Sequence, residues 1–469
     1  MNRVVLFVAA IVTALALSCD PGQPVAPQPT LSLKRIATDA SISCLDVAAA
    51  NHKGNKNAPV ALRCAIQAPG PTPLTQGQKG WIDGHRYYLA DQSNKGLDVF
   101  DADALTFLGR VDGMAGALAA GGGTATTNGP GPSSVVLSNR KTAWVSDGNS
   151  TTWVVDVEHM AIIGSVNTSI AACNDATHHY CGRANEITYD PEHKLIFVQN
   201  PSPLSLAKCT ATGANCTTAA GVTAAGADMD TYGTFISARA PYPIVGTISF
   251  PNRRGQEAPL WDQETHRIVT AVSGRLVGTT VFQQYVAVID PKVRPFTVEK
   301  HFDIDCFALG IGASPGSLFG INDPALGAHQ HMVIPACGRP IIMNAQTGTF
   351  ISSSISQVPG GNETTYGTGD GNFYVDAALT GGTANLGVIN ARSAQLLQLV
   401  PNVGGANPAA YANKNRVFTI VAASASATAC TAFGYQTSGC ITVFGHEGRD
   451  DGDEKDGDNN DNDNDHDDD

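Results

Sequence analysis

Runs of β-branched and apolar residues recur along the chain, and each run closes on a short polar turn. Successive runs lie about 50 residues apart, with one longer gap before the third, and repeats of roughly 40 to 50 residues with several short strands are typical of β-propeller blades. The pattern therefore predicts an all-β, seven-bladed propeller of four-stranded blades. The seven runs are residues 99–101, 154–156, 234–236, 288–290, 342–344, 388–390 and 443–445.

Each unit repeats the same order of strands and turns. Residues 185–198 consist of two strand-like runs, and Asp190-Pro191 marks the turn between them. Residues 340–348 consist of an apolar run that ends in Asn344-Ala345-Gln346-Thr347-Gly348. Such a turn between two strands indicates a hairpin, so both halves of a unit predict antiparallel pairing.

These residues resemble the YVTN-repeat propellers. The resemblance covers roughly residues 79 to 447 and rests on an apolar strand, an Asp-Pro or Asn-Lys-Asn turn, a basic-apolar-aromatic-Val run and a Val-Ile-Asp anchor. The strict Tyr-Val-Thr-Asn tetrapeptide is absent, and its nearest relatives are 198–200 (Val-Gln-Asn) and 145–147 (Val-Ser-Asp). The resemblance implies a propeller of the superfamily that includes the amine dehydrogenase heavy chains, and it implies little about activity.

The seventh unit lacks an outer strand, because residues 443–445 are followed at once by a polar and then acidic segment. An open sheet edge invites aggregation. We therefore expect a segment between about residues 30 and 66, such as 59–63, to complete this blade. The predicted organisation is a signal peptide (1–18), a Pro-rich tether (19–36), a segment closing the ring (37–78), the propeller (79–447) and a disordered acidic tail (448–469).

The first residues predict export. Arg3 precedes an apolar run over residues 4–17, which is too short for an ordinary membrane-spanning helix and suits a secretory signal. Residues 14–16 (Ala-Leu-Ala) fit ordinary signal cleavage, whereas 16–19 (Ala-Leu-Ser-Cys) resemble a bacterial lipobox. Lipidation at Cys19 would leave ten of the 11 cysteines, an even number suited to disulfides. A lipid-anchored protein of the periplasm or cell surface is the first hypothesis, and a freely secreted protein the second.

The remaining cysteines are candidates for five disulfides in an oxidising compartment. None of them forms a Cys-x-x-Cys spacing, which disfavours zinc, thioredoxin-like and haem chemistry. Adjacency in the chain suggests the pairs Cys44 with Cys64, Cys173 with Cys181, Cys209 with Cys216, Cys306 with Cys337 (on the first two strands of one blade), and Cys430 with Cys440.

Negative charge is concentrated at the carboxyl end. Residues 450–469 hold 11 Asp and one Glu against one Lys, which accounts for most of the formal net charge of −13. The body is close to neutral, which disfavours nucleic-acid binding. The tail is interpreted as a solvating segment or as a weak ligand of a divalent cation such as Ca²⁺, although it contains no complete EF-hand loop.

Seven positions just before the inner strands are expected to converge at one mouth of the central channel. Carboxylates facing a common axis raise one another's pKa or recruit a cation, so a ligand or metal site is a hypothesis here. Polar residues at a solvent-filled rim are the alternative. Gluconolactonase and regucalcin propellers, which this chain resembles in general architecture, hold a divalent metal with Glu, Asn and Asp at this place. The seven positions are Lys79, Ser133, Glu186, Glu257, Asp305, Glu363 and Asn407. The candidate ligands are the four acids and the one amide among them: Glu186, Glu257, Asp305, Glu363 and Asn407.

Histidine and tryptophan offer weaker signals. His329 and His331 would face the same way on a strand, but with no third ligand in view a structural role is favoured, and the same holds for His178 and His179. The four tryptophans, predicted on or beside inner or second strands, are interpreted as packing between blades. A bound quinone is disfavoured, because the tryptophan docking motifs and vicinal cysteines of eight-bladed quinoprotein alcohol dehydrogenases are absent.

These observations favour an exported envelope protein that binds or scaffolds a protein or small ligand at its channel mouth. One alternative is a metal-dependent lactonase-like hydrolase that uses the candidate carboxylates. A second alternative is the propeller subunit of a periplasmic dehydrogenase, whose partner chain would carry the cofactor. Contact with a membrane is expected only through the lipid anchor, and the one candidate cofactor is a divalent cation such as Ca²⁺.

Overall fold

Seven antiparallel sheets of four strands each, together with one two-stranded hairpin, contain the strands of the described residues. The chain divides into two units, Met1–Asp39 and Ala40–Asp469, and the first lies outside the described residues. The computed structural model describes residues 44–49, 53–67, 69–75, 77–114, 131–148, 150–169, 184–200, 230–253, 255–277, 280–311, 320–352, 354–377, 385–401, 405–423, 430, 433–435 and 438–448.

The strands follow one another blade by blade. A short helix, α1 (Cys44–Ala49), and a first strand, β1 (Val60–Gln67), precede the first blade. The first blade comprises β2 (Gly77–Asp83), β3 (Arg86–Asp91), β4 (Gly96–Asp101) and β5 (Thr106–Val111). The second comprises β6 (Ser134–Asn139), β7 (Thr142–Asp147), β8 (Thr151–Asp156) and β9 (Ala161–Asn167), and the third β10 (Ile187–Asp190), β11 (Leu195–Asn200), β12 (Thr231–Ser237) and β13 (Ile244–Phe250).

The fourth blade carries an extra hairpin between its second and third strands. It comprises β14 (Gln256–Asp262), β15 (Arg267–Val272), the hairpin strands β16 (Arg275–Val277) and β17 (Thr280–Phe282), then β18 (Tyr285–Ile289) and β19 (Val298–Asp303). The fifth comprises β20 (Ala325–Leu326), β21 (His331–Ala336), β22 (Arg339–Asn344) and β23 (Phe350–Ser352), with a 3-10 turn at Ala328–Gln330.

The last two blades bring the chain back to its beginning. The sixth comprises β24 (Thr364–Gly367), β25 (Asn372–Ala377), β26 (Asn385–Asn390) and β27 (Gln395–Pro401). The seventh comprises β28 (Gly405–Tyr411), β29 (Arg416–Val421) and β30 (Cys440–His446), with a 3-10 turn at Ala412–Lys414, and β1 is its fourth strand. The innermost strand of each blade contacts that of the next, and β28 contacts β2, so the ring is closed. The predicted seven-bladed propeller is confirmed.

All seven predicted anchor runs lie on the third strand of a blade. A polar residue at the end of such a strand stabilises the following turn through side-chain hydrogen bonds. At Asp101, Oδ1 accepts hydrogen bonds from the backbone N–H groups of Asp103 and Ala104 at 2.9 and 2.7 Å. Asn344 makes the same bonds in the fifth blade. Asp and Asn are favoured here because their side chains hydrogen-bond backbone groups two or three residues on.

The core lies between neighbouring blades. Tyr87 of β3 stacks on Phe418 of β29 with ring centroids 5.0 Å apart, and both rings are fully buried. Phe100 of β4 joins the same cluster. Because these rings come from the first and seventh blades, burial of apolar surface stabilises the junction where the ring closes.

The predicted closure of the seventh blade is confirmed. β1 pairs with β30 in antiparallel register from Val60 opposite His446 to Gln67 opposite Cys440. The strand begins within the expected segment and continues one residue beyond it. Val60 is buried against the sixth blade and Ile66 against the first. An N-terminal segment therefore covers the edge that the carboxyl end of the ring would otherwise expose.

Three predicted disulfides are present among the described residues. They join Cys44 to Cys64, Cys306 to Cys337 and Cys430 to Cys440. The first ties α1 to the closing strand. The placement expected for Cys306 and Cys337 was wrong, because Cys306 follows the outer strand β19 and Cys337 lies in the turn between β21 and β22, so their bond joins two blades. Cys19, Cys173, Cys181, Cys209 and Cys216 lie outside the described residues.

Within the described residues, no helix has the length and apolar character that crossing a membrane would require.

His446 fastens the closing segment to the sixth blade. Its Nδ1 lies 2.6 Å from the carbonyl oxygen of Ala58, and its Nε2 lies 2.9 Å from Oδ2 of Asp370. Both neighbours accept hydrogen bonds, so the protonated ring satisfies both and the neutral ring only one. Burial lowers the pKa of His446, but the bonds to Asp370 and to the Ala58 carbonyl outweigh it and raise that pKa above 6.5.

We expect His446→Ala to lose about 2 kcal/mol of unfolding free energy at mildly acidic pH, the size of hydrogen bonds to a charged group. Because the folded pKa is raised, this stabilisation is fully present below pH 6.5 and is lost as the pH rises through the raised pKa. Urea unfolding of both proteins across this range measures the difference, with the exposed His301→Ala as control. A difference that does not change with pH would contradict the two-acceptor arrangement.

Candidate functional site

Four charged side chains from four blades meet inside the channel. Lys79 of β2 places its Nζ 3.0 Å from Oδ2 of Asp323, 3.4 Å from Oε2 of Glu186 and 3.9 Å from Oε2 of Glu363. The three carboxyl groups are buried, and the Lys79 side chain is 21% exposed. We call these four residues the Lys79 cluster.

Local backbone geometry explains the reach of Lys79. The pairing of β2 with β3 slips between Gly77 and Gly80, which leaves Gln78 and Lys79 in a β-bulge. A bulge adds a residue to one strand and redirects its side chain, and bulges are common beside functional sites. The carboxyl groups come from positions just before or at the start of inner strands: Glu186 precedes β10, Asp323 precedes β20 and Glu363 precedes β24.

Of the predicted channel positions, the structure brings Lys79, Glu186 and Glu363 together. Glu257 lies nearby on β14, and its Oε2 accepts a hydrogen bond from Asn185 at 3.3 Å. Asn407 donates from its Nδ2 to the carbonyl oxygen of Gly77 at 3.0 Å, so it joins β28 to β2.

Ser133, the remaining predicted rim position, is buried, and its backbone N–H donates to the carbonyl oxygen of Ser146 at 2.8 Å. Its hydroxyl has no hydrogen-bond partner within the described residues. Ser133 therefore lies in the wall of the second blade and outside the Lys79 cluster.

The placement of Asp305 at the channel was wrong. Asp305 follows β19, the outer strand of the fourth blade, and its Oδ1 accepts the backbone N–H of Phe307 at 2.9 Å. The acid that precedes the inner strand of the fifth blade is Asp323. Sequence reasoning missed it because β20 has only two residues, Ala325 and Leu326, and gives no run of alternating residues. The signal that was available is Asp323-Pro324, the same pair that marks turns elsewhere in the chain.

The cluster has more negative than positive charge. Burial disfavours the ammonium form of Lys79, but the carboxylates of Asp323, Glu186 and Glu363 outweigh it and hold the pKa of Lys79 above its usual value. Burial, with the adjacent Asp323 carboxylate, raises the pKa of Glu363 well above 4.5. One carboxyl of the cluster therefore holds a proton far more readily than a solvated glutamate does.

A second buried acid supports the backbone at Glu363. Oδ1 of Asp376 accepts the backbone N–H groups of Asn362 and Glu363 at 2.8 and 2.7 Å. Burial raises the pKa of Asp376 to about 6, although these two bonds act in the opposite direction. The loop before β24 is thus held by fixed donors, which orients Glu363 toward Lys79.

One member of the cluster, Lys79, lines a funnel that opens where the inner strands end. Two adjoining cavities of about 680 and 420 Å³ make up this funnel. Both are lined by Lys79, Trp81, Leu260, Tyr366 and Thr368. Small-molecule sites usually have volumes of roughly 300–1,000 Å³ and mostly apolar walls with a few polar groups. The funnel has that size and composition.

Two of the four tryptophans differ from the expectation, Trp81 in its surroundings and Trp153 in the strand that holds it. Trp81 is 40% exposed and lines the funnel, whereas packing between blades was expected. Trp153 lies on β8, a third strand. Trp144 on β7 is fully buried and packs edge-on against Tyr242, as expected for a core residue. Trp261 lines the funnel next to Leu260.

Three carboxyl groups of the cluster could hold a metal ion. Glu186, Asp323 and Glu363 each present one oxygen, and these oxygens lie within 4.8 Å of one another. Such hard oxygen donors suit Ca²⁺. The ammonium of Lys79, however, already lies 3.0–3.9 Å from all three groups. The donor set fits a hard cation, but the chain's own ammonium lies where that cation would bind, so we derive no catalytic step through a metal.

The histidine pair does not form a second metal site within the described residues. The rings of His329 and His331 lie 6.1 Å apart, and Nδ1 of His331 is 2.6 Å from the carbonyl oxygen of Ala391. His331 therefore has a structural hydrogen bond, in agreement with the interpretation from sequence. His178 and His179 lie outside the described residues.

Comparison with known proteins bears on the fold. No family model matches the chain, and no curated protein matches it. Among solved structures, it is similar to a chain of the "Crystal Structure of Mitotic Checkpoint Complex", with a TM-score of 0.51 and 8% identity over 82% of this chain and 92% of that one. It is also similar to "Kuenenia stuttgartiensis Hydrazine Synthase", with a TM-score of 0.47 and 12% identity over 68% of this chain and 84% of that one. At these identities the likeness concerns the fold alone, and a propeller fold is compatible with a binding or scaffolding role.

Proposed function

We propose that this protein is an exported envelope binding protein that captures a small ligand in the funnel. The observation that carries the proposal is the cavity of about 680 Å³, whose wall is largely aromatic and aliphatic and includes Lys79 of the Lys79 cluster. A rigid ring of seven sheets keeps this wall in place before any ligand arrives, which lowers the entropic cost of binding.

The amino-terminal pattern supports export. Arg3 and the apolar run over residues 4–17 have the order of a secretory signal, and Cys19 follows a lipobox-like tripeptide. Three disulfides among the described residues suit an oxidising compartment. We propose that the protein lies in the periplasm or at the cell surface, lipid-anchored at Cys19. We also propose that the protein is related to the YVTN-repeat propellers that its sequence resembles.

Filling the mouth of the funnel should abolish binding without unfolding the protein. Thr368 is exposed and lines both cavities, so Thr368→Trp places a large ring there at little cost to the core. We expect wild-type protein to bind one equivalent of the neutral dye Nile red, with increased dye fluorescence, and Thr368→Trp to lose at least about tenfold in affinity, which corresponds to about 1.4 kcal/mol.

The matched control is Thr347→Trp, in an exposed turn of the fifth blade, because Thr347 lines neither cavity. This variant should bind the dye as wild type does. Equal losses in both variants, or dye binding by wild type that Thr368→Trp leaves unchanged, would exclude the funnel as the site.

A metal-dependent lactonase-like hydrolase is the second candidate, and the buried triad of Glu186, Asp323 and Glu363 is the observation in its favour. Lys79 argues against it, because its ammonium compensates the charge that a metal would otherwise compensate. Stoichiometric divalent metal in protein purified without chelator, lost in Glu363→Gln, would favour the hydrolase over the binding protein.

A further inference from the structure

Carboxyl groups outnumber cations around the funnel. Asp262 and Glu264 belong to its wall, and behind Lys79 lie the three carboxyl groups of the Lys79 cluster. Nε2 of Gln330 lies 3.0 Å from Oδ1 of Asp262 and 3.0 Å from Oε2 of Glu264, which fixes both acids at the same side of the wall. The ammonium of Lys79 is directed toward its own acids and leaves a net negative field in a low-dielectric cavity.

Aromatic rings line the same space. Trp81 is 40% exposed, and within the described residues no other ring or cation packs on its indole. Tyr366 and Trp261 lie in the same lining. One wall ring already accepts a cation, since the ammonium of Lys194 lies 5.9 Å from the ring centroid of Tyr189. The face of an aromatic ring attracts ammonium and guanidinium groups, and indole does so most strongly.

Gly448, the last described residue, is held on the funnel side of the seventh blade. The backbone N–H of Asn55 donates to the carbonyl oxygen of Gly448, and the N–H of the adjacent Gly54 donates to that of Lys414, next to the funnel residue Asn413. Residues 450–469, which follow in the sequence, hold 11 Asp and one Glu against one Lys. A concentration of one charge raises the local concentration of the opposite charge and its rate of association.

We propose that the ligand class of the funnel is a small organic cation with an aromatic or branched apolar body. The proposal rests on the funnel being the binding site. The apolar body lies against Trp81, Leu260 and Tyr366, and the cationic group faces the indole rings and the exposed carboxylate of Glu264, while the buried Asp262 adds negative charge behind it. An anion is disfavoured because it would meet this negative field, and a neutral ligand lacks the cation–π attraction.

Three probes that share one ring and differ in charge test the proposal: benzylammonium, benzyl alcohol and phenylacetate at neutral pH. We expect calorimetric titration of the full chain to show benzylammonium binding about tenfold tighter than benzyl alcohol, with phenylacetate weakest. Trp81→Leu and Glu264→Gln should each reduce benzylammonium affinity, and Leu108→Ala, an exposed apolar residue on the outer strand β5, should not. A chain ending at Gly448 should bind more slowly and with a weaker dependence on salt.

The outcomes separate this inference from the binding function itself. If benzyl alcohol binds as tightly as benzylammonium and both depend on Trp81, the funnel is a ligand site and the cation preference is wrong. If benzylammonium binds equally well to Trp81→Leu, or does not bind wild type at millimolar concentration, the proposed ligand class is overturned. In that case the Nile red experiment on Thr368→Trp still decides whether the funnel binds ligands.

Discussion

Loss of the closing strand should unfold the whole ring. A chain lacking residues 44–67 would expose the edge of β30 and remove the buried side chains of Val60 and Ile66, worth roughly 3–6 kcal/mol together. It would also lose the antiparallel backbone pairing of β1 with β30, at about 0.5–1.5 kcal/mol net for each hydrogen bond. Their sum is comparable with the roughly 5–15 kcal/mol that stabilises a whole domain, so we expect no cooperative thermal transition in far-ultraviolet circular dichroism.

Point variants keep this prediction testable if the deletion is not recovered from cells. Ile66→Asp places an unpaired charge in the closing strand and should lower the melting temperature strongly. Leu397→Asp makes the same change at a side chain that is 55% exposed on β27, and should have little effect. Similar melting temperatures for these two variants would show that β1 does not complete the ring.

Replacing Lys79 should cost about 3–5 kcal/mol of unfolding free energy at neutral pH, the usual cost of leaving buried charges without their partner. In Lys79→Met the three carboxyl groups lose their counter-charge, which raises the pKa of Glu363 further, so the folded state binds more protons than the unfolded chain. The deficit relative to wild type should therefore shrink as the pH falls. Chemical denaturation of both proteins across acidic and neutral pH measures it.

Matched variants isolate the cause. Lys141→Met removes a lysine whose ion pair with Glu158 is exposed, and it should leave stability nearly unchanged. The double change Lys79→Met with Glu363→Gln should recover part of the loss, because one carboxyl is then neutral. Ca²⁺ should raise the melting temperature of Lys79→Met more than that of wild type. A Lys79→Met protein as stable as wild type at neutral pH would mean that Lys79 does not pair with these acids.

The fold was predictable from the sequence because repeats of blade length indicate the number of blades, and alternation of apolar and polar residues indicates which side chains of a strand are buried. For example, the apolar run at residues 288–290 could be recognised from the adjacent residues alone. It lies on the third strand of its blade. The missing outer strand of the seventh blade could be inferred from the acidic segment after His446. Its complement, residues 60–67, begins within the expected segment and ends one residue beyond it.

The site was predictable only in part, because its geometry depends on side chains from distant blades. Glu186 and Glu363 could be expected at the channel, since both precede clear strands. Asp323 could not, because the two-residue strand β20 carries no periodic signal. The role of Lys79 as the central cation depends on a β-bulge, and bulges are not evident from composition. The exposure of Trp81 depends on the funnel's shape, which no local pattern encodes.

A photoaffinity label tests most directly whether the funnel is the binding site. Benzylamine carrying a trifluoromethyl diazirine on its ring would be photolysed with the full chain, and the labelled peptides identified by mass spectrometry. The account predicts labels on the peptides that contain Trp81, Trp261 and Tyr366, suppressed by excess benzylamine and absent from Thr368→Trp. Labels confined to the opposite channel mouth or to the acidic tail, or labels that excess benzylamine does not suppress, would contradict it.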